Sequence, residues 1–193
     1  MVDDWSGYYQ WIAGRAPRPL LVRALAEHGE AGPDAVAVDL GCGDGTESRA
    51  LLEAGFRVTA VDSAEAAMAE LAEAARAGAP VTLVRAAMQD VDLPPADLVY
   101  AGFSLPFCPP GAFDGLWARI RAALRPGAVL ACDLFGDHDT WAGDPAMTFV
   151  TRARVDALLD GLDVRHLEES EEDGNSYSGP KHWHTFQVVA RAG

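Results

Sequence analysis

Residues 35–55 read AVAVDLGCGDGTESRALLEAG. A short valine-rich apolar run, a turn with glycines at alternate positions and an amphipathic stretch closed by glycine follow without a spacer. The apolar run has the length and composition of a buried strand. The stretch from about Asp44 to Ala54, stopped by Gly55, is a helix. A strand that runs through a tight turn into a helix commits the chain to crossovers, because its next strand must return parallel.

That unit recurs. Strands are expected at 56–62, 81–86, 96–102 and 128–136. Helices are expected from Pro19, from Ser63 to Gly78, at 113–127 and near 151–160. The Ser63–Gly78 helix shows one apolar stripe in Ala64, Ala67, Met68, Leu71 and Ala75; the 113–127 helix shows Leu116, Ile120 and Leu124. LDVRHLEE and KHWHTFQVVARA then follow as two strands joined by an acidic, Gly/Ser-rich loop at 170–180, with Glu168, Glu169, Glu171, Glu172 and Asp173 as its solvated end. The expected fold is α/β: a doubly wound, Rossmann-like, mostly parallel seven-stranded sheet with a C-terminal antiparallel hairpin. A chain of 193 residues suits a single domain over 1–193, with residues 1–30 as an aromatic and helical cap.

Fifteen basic and 29 acidic side chains give a net charge of −14. Such a surface repels phosphate backbones, so nucleic acid and anionic membranes are excluded as natural partners. Cys42, Cys108 and Cys132 are widely spaced and odd in number, which points to a reducing compartment and the cytosol. The start, MVDDWSGYYQ, lacks the basic and apolar regions of a secretion signal. No apolar run approaches a membrane span.

The glycine turn is read through its acids. From Gly41 a dinucleotide fingerprint would require glycine at Thr46, and from Gly43 at Ser48; both fail. No lysine supplies a phosphate-loop contact, and Asp44 would face a pyrophosphate with like charge. Asp39, at the carboxyl end of the strand, suits a ligand ammonium. Asp62 lies 21 residues beyond Gly41 and suits a ribose diol. An amino group, a ribose and no pyrophosphate describe S-adenosylmethionine.

VAVDLGCGDGTESRALLEAGFRVTAVD resembles the first two motifs of class I S-adenosylmethionine-dependent methyltransferases. FSLPFCPP, LFGDHDTWAG and KHWHTFQVVARA are similar to a compact bacterial branch near the tellurite-resistance methyltransferases. The resemblance implies a cofactor site. Asp39, Gly41, Cys42 and Gly43 hold the methionine part, and Ala101 passes beside it. Asp62 takes the ribose and Ser63 lines the adenosine. Ala87, Met88 and Gln89 serve the adenine, where the family often has an acid. Tyr9 and Arg18 close over the cofactor from the N-terminus, with Arg18 near its carboxylate.

A sulfonium-activated methyl needs placement more than a base. The acceptor is a small molecule over the ends of the fourth and fifth strands, near Phe107, Phe135, His138 and Trp141. His138, His182, His184 and Tyr9 are the candidate catalytic groups. His182 and His184 share a strand face, but no third ligand at motif spacing indicates a metal. The residues do not specify the acceptor, the methylated atom or the oligomeric state. Two other readings stay open: an S-adenosylmethionine binder without catalysis or with other chemistry, and a nicotinamide-dependent oxidoreductase. The missing glycine, Asp39 and the closing hairpin count against the last.

Overall fold

The computed structural model describes residues 5–64 and 68–193. It is a seven-stranded sheet flanked by helices. The strands are β1 (Val36–Leu40), β2 (Arg57–Asp62), β3 (Val81–Arg85), β4 (Ala96–Ala101), β5 (Leu124–Phe135), β6 (Asp163–Ser176) and β7 (Gly179–Arg191). The helices are α1 (Trp5–Ile12), α2 (Pro19–His28), α3 (Thr46–Glu53), α4 (Ala69–Arg76), α5 (Pro110–Ala123) and α6 (Arg152–Leu158). The sheet order is β3-β2-β1-β4-β5-β7-β6. Strands β1 to β5 pair in parallel, while β7 lies antiparallel between β5 and β6. The chain order reverses between β1 and β4, which opens a crevice at their carboxyl ends.

Strand parity divides the core in two. Ala37, Leu98, Tyr100, Val129, Ala131 and Val189 face α2, α3 and α4 through Leu21, Ala24, Leu51 and Leu71. Val38, Val99, Ala101, Leu130, Cys132 and Val188 face α5 and α6 through Leu116, Ile120, Val155 and Leu158. Cys42, Cys108 and Cys132 are free and buried.

The structure corrects several boundaries. Helix α5 begins at Pro110, where a first-turn proline is tolerated, and ends at Ala123. Leu124, read as part of the helix face, is extended at φ −68°, ψ 118° and pairs with Ala96. Arg125 precedes Pro126, and a residue in that position is pushed out of helical geometry. The expected loop at 170–180 is a two-residue turn, Tyr177–Ser178, and the acidic run is strand. It is held in the β6–β7 ladder, with Glu171 opposite His184 and Asp173 opposite His182. Helix α3 starts at Thr46 because Gly45 takes φ +76°. The described part of α4 starts at Ala69, and Ala67 of its expected stripe lies outside the described residues. Among the described residues, no helix is long and apolar enough to cross a membrane.

Candidate functional site

The turn after β1 folds back on β2. The amides of Gly41 and Cys42 both donate to the Val61 carbonyl, at 2.8 and 3.0 Å. Gly41 (φ +74°) has no room for a side chain, because a Cβ there would collide with Ser104. Ser104 Oγ in turn donates to the Leu40 carbonyl at 2.5 Å. The Gly43 amide donates to Asp62 Oδ2 at 2.9 Å, and the Ala64 amide donates to Oδ1 at 2.8 Å. Asp62 therefore shapes the loop, and each of its oxygens keeps a lone pair for another donor. The Tyr9 ring covers Gly43, where a Cβ would stand 3.2 Å from it. Burial and the adjacent Asp62 carboxylate push the Tyr9 phenol up.

Asp39 is 1% exposed and accepts from Ser48 Oγ at 2.6 Å. Burial pushes its carboxyl up to about 8, against the Ser48 bond, which lowers it. The Cys42 thiol is pushed up by burial and then by Asp39 and Asp62. Arg15 grips Glu47 with two bonds of 2.5 Å. Arg18 donates its amide to Glu47 at 3.2 Å, reaches the Tyr8 hydroxyl at 3.4 Å and lies 4.6 Å from the centre of the Phe103 ring.

These groups line one cavity of about 910 Å³, which continues from the glycine loop to the β6–β7 hairpin. Tyr9, Arg18, Asp39, Gly41, Cys42, Gly43, Asp62, Ser63, Ala87, Met88 and Gln89 all border it. Ala101 does not: it is fully buried in the core shared with α5. Its neighbours Tyr100 and Gly102 border the cavity in its place. The correction is one of parity, since successive strand residues point to opposite faces.

Parity also removes the histidines. On β7 the cavity face carries Trp183, Thr185 and Gln187, while His182 and His184 face the other way. His182 Nδ1 meets Asp173 at 2.8 Å, His184 Nε2 meets Glu169 at 3.3 Å and His138 Nδ1 meets Glu171 at 3.0 Å. None of the three borders the cavity. Among the described residues, Asp137, His138 and His184 bring possible metal donors within 4.8 Å of one another. These imidazoles are already engaged: the His138 amide donates to His184 Nδ1 at 3.2 Å, and their other partners are the carboxylates above.

Phe107, Phe135 and Trp141 border the cavity as expected, joined by Met147, Glu168, Ser170, Glu172 and Tyr177. A buried lysine stiffens this wall. Lys181 Nζ lies 3.5, 3.6 and 4.2 Å from the ring centres of Trp183, Trp141 and Phe135. It pairs with Asp139 at 2.9 Å. Burial lowers the ammonium to about 8, against the pull of Asp139. Nothing in the sequence marked Lys181, which lies between Pro180 and His182. Phe103 is also unforeseen. It has φ +53°, the one positive value at a non-glycine among the described residues. Its amide is held by Asp133 Oδ2 at 3.1 Å, and Gln187 donates to Asp133 Oδ1 at 3.0 Å. Strain of this kind concentrates at ligand sites.

Residues 37–127 match the family described as "Methyltransferase domain". That stretch, just under half of the chain, is similar to methyltransferase domains. The matched stretch includes the glycine loop and Asp62 and stops within β5. Carboxy-S-adenosyl-L-methionine synthase of Aliivibrio fischeri strain MJ11 is 34% identical over 105 residues, 51% of this chain and 43% of that protein. The chain therefore spans less than half the length of that relative. The crystal structure of TehB from Haemophilus influenzae superposes with a TM-score of 0.78 at 14% identity, covering 98% of this chain and 68% of that one. The 1,6-didemethyltoxoflavin-N1-methyltransferase of Burkholderia thailandensis has a TM-score of 0.68 at 25% identity, covering 96% of this chain and 82% of that one. The sheet and the hairpin that closes it thus share the fold of these solved proteins.

Proposed function

We propose that this protein binds S-adenosylmethionine and transfers its methyl group to a small-molecule acceptor. The observation that carries the reading is the glycine loop bonded to Asp62 beside the buried Asp39, in a cavity of about 910 Å³. Asp39 and the backbone at Gly41, Cys42 and Gly43 hold the amino-acid end. Asp62 accepts from the ribose hydroxyls. Ser63, Ala87, Met88 and Gln89 border the adenosine. Arg18 stands near the donor carboxylate. Residues 1–193 act as one domain, with 1–30 as a cap, and the free buried cysteines fit a cytosolic location. The Burkholderia enzyme, solved with its acceptor and S-adenosylhomocysteine, is a precedent for a small acceptor on this fold.

When bound, the donor supplies a methyl already activated by a sulfonium. The chain has three tasks: to orient, to exclude water and to take a proton where the acceptor must lose one. Phe103, Phe107, Phe135, Trp141 and Trp183 form a dry wall. Glu168 and Glu172 are the carboxylates that face the acceptor end. With its raised phenol, Tyr9 keeps its proton at neutral pH and serves as cover over Gly43, not as a base.

The test is turnover with a panel of amines, phenols, thiols and metalloid oxyanions, scored by release of S-adenosylhomocysteine. Acceptor-dependent release is expected. A second reading is favoured by the curated relatives, which are named as synthases of a carboxylated S-adenosylmethionine: the chain alters the donor instead of spending its methyl. Mass spectrometry of the donor after incubation separates the two. A modified donor, with no methylated acceptor across the panel, overturns the first.

A further inference from the structure

Tyr100 carries a buried hydroxyl with no partner in the protein. It stands on β4 as the direct neighbour of Asp39 on β1, is 2% exposed and borders the cavity. Buried hydroxyls are almost always bonded, and an unbonded one costs free energy. The surrounding acids do not need it. Asp39 takes Ser48, Glu47 takes Arg15, and Asp133 takes the Phe103 amide and Gln187.

Gly102 makes room for this hydroxyl. Its backbone needs no glycine, since its φ is not among the positive ones. A Cβ at that position would collide with the Tyr100 hydroxyl. The absence of a side chain at 102 thus keeps the phenol where it is, at the mouth of the β1–β4 crevice.

We infer that the Tyr100 hydroxyl is a hydrogen-bond contact for the amino-acid end of the bound donor. This rests on the donor proposed above and adds a residue that neither the glycine motif nor Asp62 points to. The hydroxyl offers one proton and two lone pairs. The ammonium drawn to Asp39 supplies a donor for its oxygen, and the ligand carboxylate supplies an acceptor for its proton. Burial, followed by Glu47, Asp133 and Asp39, pushes the phenol up, so it keeps that proton throughout the working range.

Tyr100→Phe removes one oxygen and keeps the ring that packs the core. The variant and the parent are titrated calorimetrically with S-adenosylhomocysteine and with 5′-methylthioadenosine, which lacks the amino-acid end. Loss of one hydrogen bond to a charged group predicts about tenfold weaker binding of S-adenosylhomocysteine. Methylthioadenosine should bind the two proteins equally, and the melting temperature of the free variant should not fall. Unchanged S-adenosylhomocysteine affinity overturns the inference. So does an equal loss for both ligands, which is what a merely structural tyrosine would give. A parent chain that binds neither ligand overturns the donor reading itself, a failure distinct from that of the variant.

Discussion

At the residue scale, Asp39 makes a pH-dependent prediction. Its carboxyl lies at about 8 in the folded chain against an ordinary 3.8. Below about pH 4 both states hold the proton. Between about 4 and 8 the unfolded chain loses it and the folded chain keeps it, so this group's contribution to stability declines as pH rises. Asp39→Asn should therefore gain on the parent in urea midpoint from pH 5 to pH 8; a constant gap would contradict the burial argument. Asp62→Ala should weaken S-adenosylhomocysteine binding about a hundredfold, by loss of two hydroxyl donors to a carboxylate. It should also cost about 1 kcal/mol of stability, because the Gly43 and Ala64 amides lose their acceptor. Titration and unfolding check both; unchanged affinity would mean that the ribose does not lie there. Asp39 and Asp62 were legible because a strand end and a glycine turn place them before any tertiary contact is known. His138, His182, His184 and Ala101 show the converse. Which strand face meets the cavity depends on which helices cover each side, and alternation along the strand states only that two faces exist.

At the scale of elements, the succession of strands and helices along the chain was legible from hydrophobic runs and glycine stops, whereas the order of strands in the sheet was not stated by them. Boundaries set by pairing were not legible either. Leu124 looks helical by spacing, yet Pro126 and the β4 partner make it strand. The acidic 170–180 segment looks like a loop by composition, yet it pairs along β7, where His182 hydrogen-bonds Asp173 and Glu171. The α3 junction makes its own prediction. Gly45 sits at φ +76°, and a Cβ there would lie 2.7 Å from Leu71 Cγ in α4. Gly45→Ala should thus cost about 2 kcal/mol or more, combining left-handed strain with overpacking. Denaturant unfolding measures it, and a loss under about 0.5 kcal/mol, the ordinary surface range, would show that Leu71 yields freely.

At the scale of the whole molecule, the cavity is roofed by the chain's two ends. Trp5 of α1 meets Phe107 with ring centres 5.0 Å apart, and Tyr8 and Trp11 each meet Tyr177 of the hairpin turn at 6.0 Å. An aromatic roof of this kind should tighten on a ligand beneath it. Limited proteolysis within residues 1–16 should slow when S-adenosylhomocysteine is added; equal cutting rates would remove the lid from the account. The net charge of −14 repels phosphate backbones from the surface around this cavity. The aromatic character of the N-terminal segment was legible from composition, while the contact of Tyr8 and Trp11 with Tyr177 depends on a hairpin longer than the sequence implied.

The central claim is that the acids around the glycine turn select an amino-acid nucleoside over a pyrophosphate. Calorimetric titration of the full chain with S-adenosylhomocysteine and, separately, with NAD tests it most directly. Saturable one-to-one binding of S-adenosylhomocysteine with no heat from NAD is the predicted result. Binding of NAD without binding of S-adenosylhomocysteine would contradict it.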